Sequence, residues 1–230
     1  MIELYSFPTP NGQKISIALE ELGLAYTIVP INIARNDQLW PEFLAISPNN
    51  RIPAIVDLDP VDGNAPLPVF ESGAILLYLA RKTGRLVPSE PRREAKVLEW
   101  LMWQMAGFGP MLGQLGHFRA FAPERIEYAT ARYADEADRL YRVLDHRLAG
   151  REWVADTYSI ADIAIAPWVH FRAVHQIELS SYPEVERWYA AFGARPAVVR
   201  GLAAGHDVWG DSPLSESERA ELFLRGQPGD

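Results

Sequence analysis

The sequence predicts an α/β domain followed by an all-helical domain. Short apolar runs with strand character alternate with helical periodicity up to about residue 83, whereas strand signals nearly vanish beyond residue 91. The residues between these two regions have the character of a linker. The predicted divisions are the α/β domain at 1–83, the linker at 84–91, the helical domain at 92–200 and a C-terminal extension at 201–230.

The α/β domain is predicted to have the element order β-α-β-α-β-β-α. Its first helix is expected to end at Gly23, since glycine favours the left-handed conformation that closes a helix. Asp59 to Pro66 is rich in turn residues and is short enough to join the last two strands as a hairpin. The strands are predicted at 2–5, 26–31, 53–57 and 67–70, and the helices at 15–22, 41–46 and 72–82, the last with Ser72 as N-cap.

The helical domain shows apolar residues at spacings of three and four along long segments. Ser159 followed by Asp162 has the pattern of a capping box, in which side chains and backbone amides at a helix start bond to each other. Ser215 and Glu218 repeat that pattern and predict one short helix in the extension. The other helices are predicted at 92–105, 124–148 and 182–194.

The composition excludes several classes of chemistry. The 230-residue chain has 22 basic and 30 acidic side chains, a formal net charge of −8, and no cysteine. Without cysteine there is no disulfide framework, no cysteine-ligated metal and no protein thiol nucleophile. The acidic balance argues against a nucleic-acid partner, which requires clustered Lys and Arg. The histidines show no metal-ligand spacing, so no metal is expected.

No membrane partner is expected either. The first residues lack the basic start and apolar run of a secretory signal. The longest apolar run, Ala74 to Ala80, is far shorter than the roughly 20 residues that span a bilayer. The cytoplasm is therefore the predicted compartment.

Pro8-Thr9-Pro10-Asn11-Gly12 forms a tight polar loop before the first predicted helix. A helix start offers unpaired N–H donors and the positive end of the helix dipole, and Thr9 and Asn11 add side-chain donors. Holding a thiol with a reference pKa of about 8.5 as a thiolate at neutral pH requires about 2 kcal/mol, which such a loop can supply. Taken alone, the loop is better explained by Thr9 and Asn11 capping the helix.

Asn49-Asn50-Arg51-Ile52-Pro53-Ala54-Ile55-Val56 enters the third predicted strand through an Ile-Pro bond. A cis bond there would leave the backbone N–H and C=O of Ile52 free to pair with a peptide. Since only about 5–6% of X-Pro bonds are cis, the residues alone favour a trans bond.

Phe70-Glu71-Ser72-Gly73-Ala74-Ile75 places an acid and a hydroxyl where a strand runs into a helix. Ser72 and its N–H can bind a carboxylate at the helix start, and Glu71 can hold an ammonium group. Together they suit the two charges of an α-amino acid. Taken alone, this segment is also better explained as a plain helix cap.

The order of elements, the Ile-Pro entry to a strand and the Glu-Ser pair before a helix resemble the glutathione transferase superfamily. Longer segments resemble its nu class, the bacterial glutathione-dependent disulfide-bond oxidoreductases. The resemblance covers about residues 1–200. The segments that carry it are the Pro8–Gly12 loop, Ile46-Ser47-Pro48 with the following Asn49–Val56, Phe70–Leu79, and Gly109-Pro110-Met111-Leu112-Gly113-Gln114.

This resemblance implies a thioredoxin-like N-terminal domain that binds glutathione, a helical domain that covers a second-substrate pocket, and a homodimer. Glutathione, reduced or as its disulfide, is the expected co-substrate. The implied contacts are Thr9 and Asn11 at the sulfur, Gln38 at the glycyl end, the Arg51-Ile52-Pro53 stretch with the Ile52 backbone against the cysteinyl backbone, Glu71 and Ser72 at the γ-glutamyl head, and Arg132 from the helical domain.

Some of these assignments have alternatives. Tyr5 and Ser6 are rivals for the thiol-activating role, because many transferase classes use an early Tyr or Ser, but Tyr5 lies within a predicted strand and the loop is preferred. Arg132 is also explained by an i,i+4 pair with Glu136. The sequence does not decide whether five further residues pack in the core or line a second-substrate pocket. They are Trp100, Trp103, Phe108, Met111 and Phe118.

The leading hypothesis is a reductase of disulfides that uses thiol–disulfide exchange through bound glutathione, with a hydroperoxide as a second type of substrate. One alternative is a transferase that conjugates glutathione to small apolar electrophiles. Another is a binding or regulatory protein that keeps the glutathione site without catalysis.

Overall fold

The computed structural model describes residues 1–205 and confirms the predicted α/β domain followed by a helical domain. The predicted capping box at Ser215 and Glu218 lies outside the described residues. The predicted start of the C-terminal extension, Gly201, lies inside the last described helix and is buried.

A four-stranded sheet forms the centre of the N-terminal domain. Its strands are β1 (Ile2–Ser6), β2 (Tyr26–Pro30), β3 (Ala54–Asp57) and β4 (Leu67–Phe70). The strand order is β2-β1-β3-β4, with β1 and β2 parallel and the other two pairs antiparallel. Ile2 lies opposite Tyr26 on one side and Asp57 on the other. The parallel pair requires the crossover helix that follows β1, and β3 and β4 form the predicted hairpin.

Three helices complete this domain: α1 (Pro10–Leu22), α2 (Pro41–Leu44) and α3 (Ser72–Thr83). Gly23 closes α1 with φ 68°, as predicted. The prediction of Ser72 as N-cap of α3 is wrong, because the carbonyl of Glu71 already accepts the N–H of Ile75 and closes the first turn one residue earlier. Ser72 is therefore the first helical residue.

The C-terminal domain consists of helices packed against α1. They are α4 (Pro91–Trp103), α5 (Gly109–Gly116), α6 (Glu127–Leu148), α7 (Ile160–His170), α8 (Pro183–Gly193) and α9 (Pro196–Ala203). π-Helical turns at Gln104–Phe108 and His117–Phe121 flank α5. The capping box at Ser159 and Asp162 is present at the start of α7.

One continuous apolar core joins the two domains, because α1 packs against α3 on one side and against α7 and α9 on the other. This arrangement places the N-terminal end of α1 beside the helical domain. Within residues 1–205, no helix is long and apolar enough to cross a membrane, and no group of three His, Cys, Asp or Glu side chains has a metal-binding arrangement.

Candidate functional site

Three cavities that share lining residues lie between the loop before α1, the start of α3 and the helical domain. The apolar cavity, about 390 Å³, is bordered by Phe7, Ile33, Phe121, Phe171 and Val174. The polar cavity, about 640 Å³, is bordered by Lys14, Glu71, Gln104, Gln114 and His117. The small cavity, about 160 Å³, is bordered by Pro53, Glu71 and Ser72. Asn11 and Arg51 border all three.

The loop before α1 presents Thr9 and Asn11 to these cavities in different ways. Thr9 is the N-cap of α1, and its Oγ1 accepts the N–H of Gly12 at 3.3 Å. Because a hydroxyl keeps a proton while it accepts, Thr9 can still donate to a ligand. Asn11 Oδ1 accepts a hydrogen bond from Trp168 Nε1 at 3.3 Å, which leaves the Asn11 amide N–H groups as its donors to a ligand. Thr9 thus caps the helix and borders the apolar cavity, while Asn11 is held by the helical domain.

Gly109 makes room for Trp168, whereas Gly113 lies at ordinary contact distance from it. A Cβ atom at Gly109 would lie 3.2 Å from the indole of Trp168 and 2.5 Å from the amide nitrogen of Gln104. A Cβ atom at Gly113 would lie 3.4 Å from the same indole. The absence of a side chain at Gly109 therefore allows Trp168 to approach Asn11.

The loop before β3 brings Arg51 and Ile52 to the cavities. Its Ile52–Pro53 bond is cis, so the trans bond favoured by the residues alone is wrong. Ser47 Oγ donates to the carbonyl of Arg51 at 2.9 Å and anchors the loop. Gln38, in a 3₁₀ turn, borders the apolar cavity, and its Oε1 is buried with no partner among the described residues. An N–H donor of a ligand would satisfy that oxygen.

Glu71 borders the polar and small cavities, and Ser72 borders the small one. Glu71 has φ 70°, which turns the chain sharply from β4 into α3, and its side chain is exposed beside Asn49, 3.5 Å from Asn49 Nδ2 to Oε1. Ser72 is 4% exposed, and its Oγ accepts a hydrogen bond from Lys14 Nζ at 3.3 Å. The pair offers an acid and a hydroxyl at the start of a helix of twelve residues.

Tyr5 and Ser6, the alternatives to Thr9 and Asn11 for activating a thiol, form hydrogen bonds with other groups. The Tyr5 hydroxyl donates to Glu3 Oε2 at 3.1 Å, and burial raises the pKa of Tyr5. Ser6 Oγ donates to the carbonyl of Phe7 at 3.3 Å. Their hydrogen-bonding favours Thr9 and Asn11 as the groups that meet a ligand sulfur.

Arg132 is exposed on α6 and is not among the residues that border the three cavities. Its charge helps to hold the pKa of Glu136 below the ordinary value, after the hydrogen bond from Arg139. The hydrogen-bonded partner of Glu136 is Arg139, at 2.7 Å, and Arg132 acts on Glu136 through its charge. A glutathione contact of Arg132 stays a prediction.

Of the five residues left open between core packing and a second-substrate pocket, Phe108 is buried, and Trp100, Trp103 and Met111 are half-buried against the core. Trp103 stacks on Phe108, which in turn packs on Tyr141. Trp100 meets Trp103 edge to face, Phe118 stacks on Tyr133, and Met111 packs against the core. The apolar cavity is bordered instead by Phe7, Phe121, Trp168 and Phe171.

Sequence reasoning also missed His175 and Lys14. His175 is 3% exposed, stacks on Trp168 with an interplanar angle of 15°, and has no hydrogen-bond partner for Nδ1 among the described residues. Burial lowers the pKa of His175 to about 4, so the ring is neutral at physiological pH. Lys14 lies beneath Ser72, where burial lowers its pKa to about 7.

Comparison with known protein families identifies the family to which the chain belongs. The chain belongs to the glutathione S-transferase family, because the model of the N-terminal domain matches residues 1–81 and that of the C-terminal domain matches residues 108–196. The resemblance inferred from the sequence is confirmed.

Individual proteins that are similar to this chain give more specific information than the family models. Disulfide-bond oxidoreductase YfcG of Escherichia coli is 51% identical over 203 residues, which cover 88% of this chain and 94% of that protein. A glutathione transferase of Burkholderia graminis, crystallised with two glutathione molecules per subunit, is 50% identical with a TM-score of 0.83, covering 88% of each chain. A glutathione transferase of Pseudomonas putida, crystallised with one glutathione disulfide per subunit, is 48% identical with a TM-score of 0.83. The match covers 88% of this chain and 91% of that chain.

Proposed function

We propose that this chain is a glutathione-dependent disulfide reductase that works through the sulfur of bound glutathione. The observation that carries the proposal is the meeting of three ligand segments at adjoining cavities in a chain without cysteine. Related proteins that are named as disulfide-bond oxidoreductases, or that hold two glutathiones or one glutathione disulfide, support it.

Glutathione would lie across the three cavities. Its γ-glutamyl head would meet Glu71 and Ser72, since these supply an acceptor for the ammonium group and donors for the carboxylate. The cysteinyl backbone would pair with Ile52, and the glycyl end would reach Gln38. Arg51, which borders each of these three cavities, supplies positive charge to an anionic tripeptide.

The sulfur would lie at Thr9 and Asn11, at the start of α1. A hydroxyl proton, amide N–H groups and the helix dipole all favour a thiolate over a thiol. The thiolate attacks one sulfur of the substrate disulfide and displaces the other as a thiolate, which takes a proton. A second glutathione thiolate then attacks the mixed disulfide, releasing the reduced substrate and forming glutathione disulfide. With a hydroperoxide, the same thiolate attacks the terminal oxygen, and the O–O bond breaks to release an alkoxide, which takes a proton. A second glutathione then reacts with the resulting glutathione sulfenic acid to give glutathione disulfide and water, which completes a peroxidase reaction.

The conjugating transferase remains the second candidate function, because the apolar cavity beside Thr9 and Asn11 is bordered by aromatic and aliphatic side chains. Such a surface suits a small apolar electrophile. A glutathione-binding protein without turnover is the third. All three functions share the glutathione site and differ in what happens at the sulfur.

Parallel assays with a hydroxyalkyl disulfide and an aryl halide, each with glutathione, test the proposal. We expect the specific rate with the disulfide greatly to exceed that with the aryl halide, because related proteins hold two glutathiones or one glutathione disulfide per subunit, as disulfide exchange requires and conjugation does not. The reverse ratio would establish the conjugating function. Glutathione binding by calorimetry with neither reaction would establish the non-catalytic one.

Trp168→Phe tests whether the helical domain orients Asn11. The change keeps an aromatic ring but removes the N–H that holds Asn11 Oδ1, so the amide can rotate away from the sulfur. A hydrogen bond of this kind contributes about 0.5–1.5 kcal/mol, and we expect kcat/KM at neutral pH to fall about threefold, with the lower pKa of the rate profile moving upward.

The matched control is Trp100→Phe, the same change in the aromatic core outside the three cavities. It should leave the pH–rate profile in place. Identical profiles for Trp168→Phe and the wild type would show that the hydrogen bond does not orient Asn11.

A homodimer is part of the proposal, as the resemblance implies. Exposed apolar side chains on the β3–β4 hairpin, namely Leu58, Val61, Leu67 and Phe70, offer a surface that a second copy would cover. The cytoplasmic compartment inferred from the sequence stays a prediction.

A further inference from the structure

Lys14 is a buried cation that joins three parts of the molecule. It is 1% exposed in the middle of α1. Its Nζ donates to Gln104 Oε1 at 2.7 Å and to Ser72 Oγ at 3.3 Å, and it lies 3.4 Å from Met105 Sδ. One ammonium group thus links α1, the first residue of α3 and the π-helical turn of the helical domain.

A lysine at this position is expensive for stability alone, because a buried charge must give up its hydration and apolar residues of similar size often stabilise better. Desolvation lowers the pKa of Lys14 to about 7, against an opposing effect of the Glu71 carboxylate. The other charged or titratable groups at the polar cavity are Arg51 and His117. Lys14 therefore changes its protonation near neutral pH in a site that has no ligand.

The contact with Ser72 has a direction. An ammonium group only donates, so Ser72 Oγ accepts from Lys14 and its own proton points elsewhere. That proton faces Met105 Sδ at 3.6 Å, and a thioether is a weak acceptor. A carboxylate oxygen at the start of α3 is a much better acceptor for the same proton.

We propose that Lys14 is a positioning residue for the γ-glutamyl carboxylate: it holds Ser72 as a donor to that group and places a positive charge behind it. The inference rests on the proposed function, which puts the γ-glutamyl head at Ser72. A carboxylate bound there favours the ammonium form of Lys14. Ligand binding above neutral pH then draws a proton from solution to Lys14.

Calorimetry with S-methylglutathione tests the inference, because its blocked sulfur releases no thiol proton. Titrations at about pH 8 in two buffers of different ionisation enthalpy report the protons taken up on binding. We expect the wild type to take up close to one proton per site more than Lys14→Met, whose affinity should be about tenfold weaker at pH 6.5. Lys96→Met, at an exposed lysine paired with Glu99, is the matched control and should behave as the wild type.

Gln104→Glu gives an independent measurement if Lys14→Met fails to fold. The variant keeps the shape of the side chain, but its carboxylate holds Lys14 protonated before the ligand arrives, so the proton uptake should disappear while binding persists. Equal uptake in the wild type, Lys14→Met and Gln104→Glu would overturn the inference and leave the proposed function standing. Failure of the wild type to bind S-methylglutathione would instead contradict the proposed function.

Discussion

Replacing Thr9 and Asn11 together by alanine is expected to lower kcat/KM for disulfide reduction at pH 7 by at least about tenfold. Loss of both donors raises the pKa of the bound thiol by about 1.5 units, toward its free value, and reduces the thiolate fraction about 15-fold. The more basic thiolate is a better nucleophile, so the rate of attack per thiolate rises about fourfold and offsets part of that loss. Loss of the two groups that position the sulfur accounts for the remaining decrease.

The loss of activity in this double variant is expected to depend on pH. Because the variant only lacks stabilisation of the thiolate, its deficit should be greatest below neutral pH and should shrink above about pH 9, where free glutathione is itself ionised. Thiolate absorbance of bound glutathione, followed against pH, measures the pKa directly. A deficit that is the same at every pH would indicate a positioning role alone, and wild-type turnover would show that the site lies elsewhere.

Thr9→Ser is the control for the first of these residues. Thr9 is the N-cap of α1, so Thr9→Ala also destabilises the helix, by about 1 kcal/mol. Serine keeps both the cap and the hydroxyl proton and should retain the thiol pKa. The comparison therefore separates a loss of helix stability from a loss of the donor.

Local periodicity was sufficient to predict most elements of the fold. β1 and α6 are examples, because an apolar run bounded by prolines and a long three-and-four repeat each have one plausible structure. α5 was missed because Gly109, Pro110 and Gly113 are poor helix formers. The helix forms there as a continuation of α4 through a π-helical turn, and Gly109 leaves space for the indole of Trp168.

The candidate site was predictable only where its residues are contiguous. The loops with Thr9 and Asn11, and with Glu71 and Ser72, are short polar segments at element ends. Trp168 and His175 had no such signal, since their proximity to the loop arises from the packing of α7 against α1.

Lys14 did carry a signal. It stands four residues before Ala18 and eight before Leu22, on the apolar stripe of α1, and a cation on such a stripe requires buried partners. Those partners, Gln104 above all, come from a distant part of the chain and could not be read from spacing.

Asp162→Ala is expected to lower the free energy of unfolding by about 3–5 kcal/mol, since each buried donor left without an acceptor costs about 1–3 kcal/mol. The carboxylate is fully buried and accepts the N–H groups of Val154 and Ser159 at 3.0 Å, the indole N–H of Trp188 at 2.9 Å and the Ser159 hydroxyl at 3.2 Å. Alanine leaves all these donors without an acceptor in the core. Equilibrium unfolding in urea, followed by circular dichroism, measures the change.

Ser159→Ala removes one partner of the same network and should lower the free energy of unfolding by only about 1 kcal/mol. The difference between the two variants isolates the carboxylate from the helix cap. A change below about 1 kcal/mol for Asp162→Ala would mean that the buried donors find other acceptors.

Because α7 also carries Trp168 to Asn11 and shares a core with α1, reductase activity of Asp162→Ala should disappear at the same urea concentration as its helical signal. Activity that persists after the helical signal is lost would show that the Pro8–Gly12 loop keeps its geometry without α7.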